Sequence, residues 1–182
     1  MTAITTVERR ARFERLFAEC HRPVRAYALR RADPDAAQDA VAETFTVAWR
    51  RLEDVPTEPL PWLMGVTRRT LANQRRSDRR AEAVATRAAA ADPVVVSPDH
   101  AERLGDAAVV RQALRELSEE DREAILLIAW DGLEPYEAAR VLGCTRATFA
   151  VRLHRARRRL TGAVERAERP TVSAPVPLEL SR

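Results

Sequence analysis

Between Glu134 and Leu160 the chain reads EPYEAARVLGCTRATFAVRLHRARRRL, and few folds accommodate that order of residues. Pro135 suits the first position of a helix, where its missing N–H costs nothing. Ala138, Ala139, Val141 and Leu142 give the short helix that follows an apolar face. Gly143 falls where a helix ends on a left-handed residue, and Thr145 can cap the next helix. In that second helix Phe149, Leu153, Ala156 and Leu160 recur at helical spacing and predict one buried stripe. The remainder carries Arg146, Arg152, His154, Arg155, Arg157, Arg158 and Arg159, with no acid among them. Two helices joined by a tight turn, the second with an apolar stripe and a basic remainder, suit a groove walled by phosphates. A basic run is often only a solvated helix face; here the turn chemistry and the fixed stripe favour nucleic-acid binding.

The charge balance points the same way. The formal net charge is +4, a modest surplus that favours a polyanionic partner. All 31 basic residues are arginine. Forked guanidinium groups grip phosphates well, but arginine is used everywhere in this chain, so a compositional bias explains it better. The only cysteines, Cys20 and Cys144, have no second cysteine at metal spacing, and His100 stands alone; no metal site, disulfide framework or cofactor is expected. No apolar run approaches the roughly twenty residues that span a bilayer, and the N-terminus lacks the apolar core of a signal peptide. A cytoplasmic protein is expected.

Strand-type alternation is nearly absent, and Ala, Arg, Leu and Glu dominate, which predicts an all-α protein. A first helix is expected from about Val7 to Arg31, with Phe13, Leu16, Phe17, Cys20, Val24, Tyr27 and Ala28 on one face and a kink or break at Pro23. A second, from Asp35 to about Leu52, buries Ala37, Val41, Phe45, Ala48 and Trp49. A proline-rich loop leads to a third helix, Pro61 to Arg76, packing through Trp62, Leu63, Val66, Thr70 and Leu71 and ending in a basic cluster. From Ala81 to Pro98 no amphipathic period survives, so a linker is expected there. Helical order returns at 101–117. Ser118 then caps a helix that is apolar almost all round from Ala124 to Trp130 and is closed by Gly132. The reading is two small helical domains, at 1–80 and 106–166, the second a helix-turn-helix. They are joined by a flexible linker at 81–105 and followed by a disordered, proline-rich tail at 167–182. The domains are expected to move independently about the linker.

The segments DAAQDAVAETFTVAWRRL (Asp35 to Leu52) and PLPWLMGVTRRTLANQRR (Pro59 to Arg76) resemble the second conserved region of bacterial sigma factors. The segment LRELSEEDREAILLIAWDGLEPYEAARVLGCTRATFAVRLHRARRRL (Leu114 to Leu160) resembles their fourth. Both regions, in this order and with no others, resemble the extracytoplasmic-function group of the sigma-70 family. The resemblance implies a polymerase specificity subunit without enzymatic activity. Its implied partners are core RNA polymerase, promoter DNA and, as for many relatives, an anti-sigma protein.

The resemblance also assigns residues. Helix two would dock on the polymerase clamp through Gln38, Asp39, Glu43 and Thr44; Asp39 and Glu43 lie four apart, hence on one face. Phe45 and Trp49 match the same motif but read better as core. The loop 53–61 would line a pocket for a flipped base of the −10 element. Arg68, Asn73, Arg75 and Arg76 would follow the single strand. Trp62 offers a stacking surface, though its spacing favours the core. At the −35 element the resemblance places Ala150, Val151 and His154 towards base edges, with Arg146, Arg155, Arg157 and Arg158 near phosphates or bases. Many relatives have a basic residue and a serine where this chain has Ala150 and Val151. Two small apolar groups can meet thymine methyls, or leave readout to DNA shape.

Two other classes are weaker. A stand-alone helix-turn-helix regulator would need an effector domain, which nothing in the N-terminal half supplies. An enzyme acting on nucleic acid would need a carboxylate cluster, a Gly-rich phosphate loop or a nucleophile motif, and none is present.

Overall fold

A computed structural model describes residues 6–85 and 107–168. These form helices α1 (Thr6–Leu29), α2 (Pro34–Arg50), α3 (Pro59–Ala85), α4 (Ala107–Glu116), α5 (Glu119–Ala129), α6 (Pro135–Leu142) and α7 (Arg146–Glu168), with a short 3-10 turn at Leu52–Asp54. No strand occurs among the described residues. The expected linker lies outside them except where α3 runs on to Ala85, nine residues beyond the predicted end. The expected tail lies outside them from residue 169 on.

Helices α1–α3 pack around Leu16, Cys20, Val24, Ala28, Ala37, Val41, Phe45, Leu63 and Leu71. The α1–α2 turn is set locally: the Asp33 carboxylate accepts from the backbone N–H groups of Asp35 and Ala36, and Pro34 begins the helix. Pro23 does not break α1, which continues through it; a proline removes one hydrogen bond, and the buried Val24, Tyr27 and Ala28 beyond it hold the last turns in place. Trp62 packs against this core, as its spacing predicts. Trp49 departs from expectation. It lies 38% exposed at the end of α2, edge-on to Phe13 at 5.2 Å, with the Arg9 guanidinium 4.9 Å from its ring. Phe17, also predicted as core, is 41% exposed. Both belong to a ring cluster with Phe13 and Phe45 on the open side of the α1–α2 pair.

The second domain is built on the predicted punctuation. Ser118 caps α5 by accepting from the Asp121 N–H, with Glu119 and Glu120 in the favourable first turn. Glu134 and Glu137 form a capping box at the start of α6, where Pro135 begins the helix. Gly143 ends α6 at φ 66°, and the Cys144 N–H returns to the Ala139 carbonyl. Thr145 Oγ1 accepts from the Thr148 N–H at 3.1 Å and starts α7. Phe149, Leu153 and Ala156 are buried, and Leu160 packs beside them.

The two domains do not stand apart. Residues 63–67 of α3 are buried without a break, all round the helix. One side of α3 faces α1 and α2, and the other faces α6. The position a Cβ would take on Gly65 lies 3.5 Å from the Val141 carbonyl oxygen, so α3 and α6 meet backbone to backbone. Tyr27 and Met64 of the first domain belong to the apolar core of the second. The sequence pattern hides this contact because Met64 and Gly65, which face the second domain, fall outside the stripe that packs on α1 and α2.

Candidate nucleic-acid interface

Helix α7 presents the predicted surface. With Phe149, Leu153 and Ala156 turned inward, the residues Arg146, Ala150, Val151, His154, Arg155, Arg157 and Arg158 are all exposed. Val151 is 51% exposed, an uncommon cost for an apolar group on a basic face. Two arginines of the row are committed elsewhere. Arg152 pairs with Glu120 at 3.0 Å, and Arg159 pairs with Asp121, a carboxylate that is itself buried. Both partners come from the first turn of α5. The buried Phe149, Leu153 and Ala156 set the rotation of α7, and these pairs give Arg152 and Arg159 carboxylate partners from α5.

The basic end of α3 divides into two faces. Arg68 and Arg75, seven residues apart, point towards the second domain. Arg75 donates to Glu119 at 2.8 Å and to the Arg31 carbonyl at 2.7 Å. Asn73 and Arg76 lie on the opposite side, bonded to one another. Arg69, absent from the residues expected at the −10 element, joins Asn73 there in a groove with Asp39 and Glu43. The spacing 69, 73, 76 was available in the sequence as a helical stripe. The loop expected at 53–61 is short, because the 3-10 turn takes Leu52–Asp54 and α3 already begins at Pro59.

The acidic face of α2 also needs revision. Asp39 and Glu43 are exposed and share the groove with Arg69. Gln38 is exposed too, but it lines a different groove, between α1 and α2, with His21 and Arg25. Thr44, expected to touch the polymerase, is fully buried. Its hydroxyl lies 2.6 Å from the Ala40 carbonyl oxygen and 3.0 Å from the Thr67 hydroxyl. One step around the helix from Glu43 turns a side chain into the α2–α3 seam.

A buried polar cluster joins the domains. The Tyr27 hydroxyl donates to Glu123 at 2.8 Å. Arg31 lies over the Tyr27 ring, 3.6 Å from its centre, and pairs with Glu123 at 2.8 Å and Asp131 at 2.6 Å. Arg30 completes the set by pairing with Asp131. Burial and the neighbouring Glu123 carboxylate push the Tyr27 phenol well above its ordinary range. Burial alone would raise Glu123, but the charge and hydrogen bonds of Arg31 outweigh it and hold the carboxylate below its ordinary value. Burial likewise disfavours the Arg31 charge, and Glu123 more than restores it. Removing one member of such a cluster leaves an unpaired buried charge, typically costing about 3–5 kcal/mol.

Among the described residues no three His, Cys, Asp or Glu side chains converge as a metal site, and no helix is long and apolar enough to cross a membrane.

A basic recognition helix held by a capped helix-turn-helix, beside a second helical domain with its own basic helix, defines a two-domain DNA-binding protein. Residues 16–81 match the sigma-70 region 2 family and residues 107–160 match sigma-70 region 4. The chain is 33% identical over 138 residues to the ECF RNA polymerase sigma factor SigL of Mycobacterium tuberculosis, covering 74% of this chain and 78% of that one. Among solved structures it resembles the sigma factor RpoE from Bartonella quintana, solved with the anti-sigma factor NepR. That likeness has a TM-score of 0.66 and 26% identity, over 84% of this chain and 96% of the other. It also resembles CnrH, solved with the cytosolic domain of CnrY, with a TM-score of 0.54 and 26% identity over 85% and 88% of the two chains. The chain belongs to the extracytoplasmic-function group of the sigma-70 family. It is a sigma factor, which binds core RNA polymerase and directs promoter recognition; proteins of this kind are initiation factors rather than enzymes.

Proposed function

We propose a division of this work between named surfaces. The first domain, residues 1–80, docks on core polymerase through the exposed Asp39 and Glu43 of α2, with Gln38 at the margin. The basic end of α3 follows the −10 strand through Arg68, Asn73, Arg75 and Arg76, with Arg69 beside them. The second domain, residues 106–166, places α7 in the major groove of the −35 element. There Ala150, Val151 and His154 face bases, and Arg146, Arg155, Arg157 and Arg158 hold phosphates. The segments 81–105 and 167–182 serve as linker and tail. The protein acts in the cytoplasm, has no catalytic activity of its own, and is held inactive by an anti-sigma protein. RpoE from Bartonella quintana, solved with the anti-sigma factor NepR, supports that last point.

The observation that carries the reading is the exposed face of α7. Its apolar residues at 150 and 151 stand exposed beside four arginines without an acid partner in α5 and a histidine, while Arg152 and Arg159 pair with Glu120 and Asp121. Run-off transcription with purified core polymerase on a genomic fragment library tests it. Discrete transcripts that appear only with the full chain, and vanish when Arg157 and Arg158 are both replaced by alanine, are the expected result. Transcripts unaffected by those replacements would move −35 recognition off α7.

A further inference from the structure

We propose that Asp121 is a positioning residue for promoter binding: by holding the Arg159 guanidinium against α5, it withholds that arginine from the DNA phosphates and weights the grip of α7 to the helix's other flank. The inference rests on the −35 role proposed for α7.

The arginines of α7 divide between the two flanks of its buried stripe. Arg152, Arg159 and Arg166 are spaced by seven, which returns nearly to the same line along a helix. Each meets an acid from α4 or α5: Arg152 pairs with Glu120 at 3.0 Å, Arg159 with Asp121, and Arg166 with Glu116 at 2.8 Å. Arg146 and Arg157 lie about three turns apart on the other flank. Both are exposed. Between the flanks stands the exposed face with Ala150, Val151, His154, Arg155 and Arg158. One edge of the helix is thus matched with carboxylates from within the protein, and the other is left cationic.

The paired arginines are not held equally. Glu120 is 64% exposed, and a pair of that kind is worth little in water. The Asp121 side chain is only 9% exposed, whereas that of Arg159 is 61% exposed. If Arg159 turned to a phosphate, it would strand a carboxylate away from water, and an unpaired buried charge is costly. The first turn of α5 favours that carboxylate in its charged form. Arg159 is also well placed to reach DNA. It is one turn beyond Arg155 and lines one groove with Arg155, Val151 and Asp121. A carboxylate and a phosphate offer a guanidinium the same charge-assisted acceptor, so the carboxylate, not burial of the arginine, keeps Arg159 off the duplex.

Asp121→Asn keeps the shape of the side chain and frees Arg159, which stays in water. Adding Arg159→Gln to it restores the original net charge and leaves neither the acid nor the free cation. Glu120→Gln makes the same charge change one residue away. Each full-length variant is assembled with core polymerase and measured on a fluorescein-labelled promoter fragment recovered by run-off transcription. Anisotropy against salt gives affinity and slope, ethylation interference maps the phosphates held across the −35 element, and thermal melts monitor folding.

Asp121→Asn is expected to tighten binding roughly threefold, the worth of one exposed charge contact. It should steepen the salt slope by about 0.9 and add one interfering phosphate. The double variant should return all three to the original values, and Glu120→Gln should add no phosphate. No added phosphate with Asp121→Asn overturns the inference, as does an equal gain from Glu120→Gln. A double variant that loses an interfering phosphate shows that Arg159 already holds DNA, and overturns it as well. That arm decides alone if Asp121→Asn melts too low to assemble. Arg157→Ala with Arg158→Ala separates the two levels: if no −35 phosphate is lost with them, the role of α7 itself falls; if phosphates are lost and the Asp121 arms fail, only the present inference does.

Discussion

The hydroxyl of Thr44 lies 3.0 Å from that of Thr67, and each also lies within bonding distance of a carbonyl one turn back, Ala40 and Leu63 respectively. Two protons serve three contacts in a seam where no water-exposed side chain intervenes. Thr44 is thus part of the joint between α2 and α3. Thr44→Val keeps its shape and should lower stability by about 1 kcal/mol, the net worth of one hydrogen bond, with polymerase affinity unchanged. Thermal melts and a pull-down with core polymerase on the same preparations check both halves.

On the outer face of the same helix the expectation is reversed. Asp39→Arg with Glu43→Arg should weaken polymerase binding while helicity and melting temperature stay within experimental error, because exposed substitutions usually change stability by no more than about 0.5 kcal/mol. Normal affinity for core polymerase after this charge reversal would place the docking surface elsewhere.

The interdomain cluster predicts a bounded pH range for closure. A carboxylate held below its ordinary value, as Glu123 is, favours the closed state at neutral pH; that support is lost as pH falls through the depressed value. A phenol held above its ordinary value of about 10 favours closure below that value and loses its support as pH rises towards its raised one. The groups facing this pair, Arg30, Arg31, Arg68, Arg75, Arg122, Glu119 and Asp131, come from the turn after α1, α3, α5 and the turn after α5. The distance between spin labels at Arg15→Cys and Glu165→Cys, in a Cys20→Ala, Cys144→Ala background, should stay short across the neutral range and lengthen at both extremes before helicity falls. A distance that changes only together with helicity would assign both shifts to global unfolding.

In α7, Arg157→Ala or Arg158→Ala should weaken promoter binding equally across sequences and reduce the salt slope by about 0.9 per lost phosphate contact. His154→Ala or Val151→Ser should change which base pairs are preferred at one or two positions, by about 1–3 kcal/mol. Selection from a randomised −35 library at two salt concentrations separates these effects. If His154→Ala loses affinity but keeps the same preferred sequence, α7 reads backbone shape rather than base edges.

Gly143 offers a test of the turn alone. Its φ of 66° is a conformation that costs an ordinary L-residue about 1–2 kcal/mol. Gly143→Val should therefore lower the melting temperature with no new contact made, since nothing lies near its missing Cβ.

Much of the helix-turn-helix was legible because its signals are local. A proline, a glycine, a capping threonine and one apolar stripe each act within a few residues, and they fixed both the ends of α6 and the exposed face of α7. What was illegible is long-range. Glu123 and Asp131 look like surface acids until α1 is brought against α5, some ninety to a hundred residues away in sequence. Arg152 and Arg159 read as free cations until α5 supplies Glu120 and Asp121. Thr44 and Glu43 differ by one position, and only the packing of α3 tells the buried one from the exposed one. Periodicity describes a helix with one neighbour; α3 has neighbours on both sides, and there the pattern failed.

The two ion pairs that tether α7 to α5 also bear on engineering. Together with the buried Phe149, Leu153 and Ala156 they hold α7 through residues other than 150, 151 and 154, so those three can be exchanged without removing a contact that aims the helix. Libraries confined to those three codons would ask how far promoter choice can be redirected within one unchanged protein body.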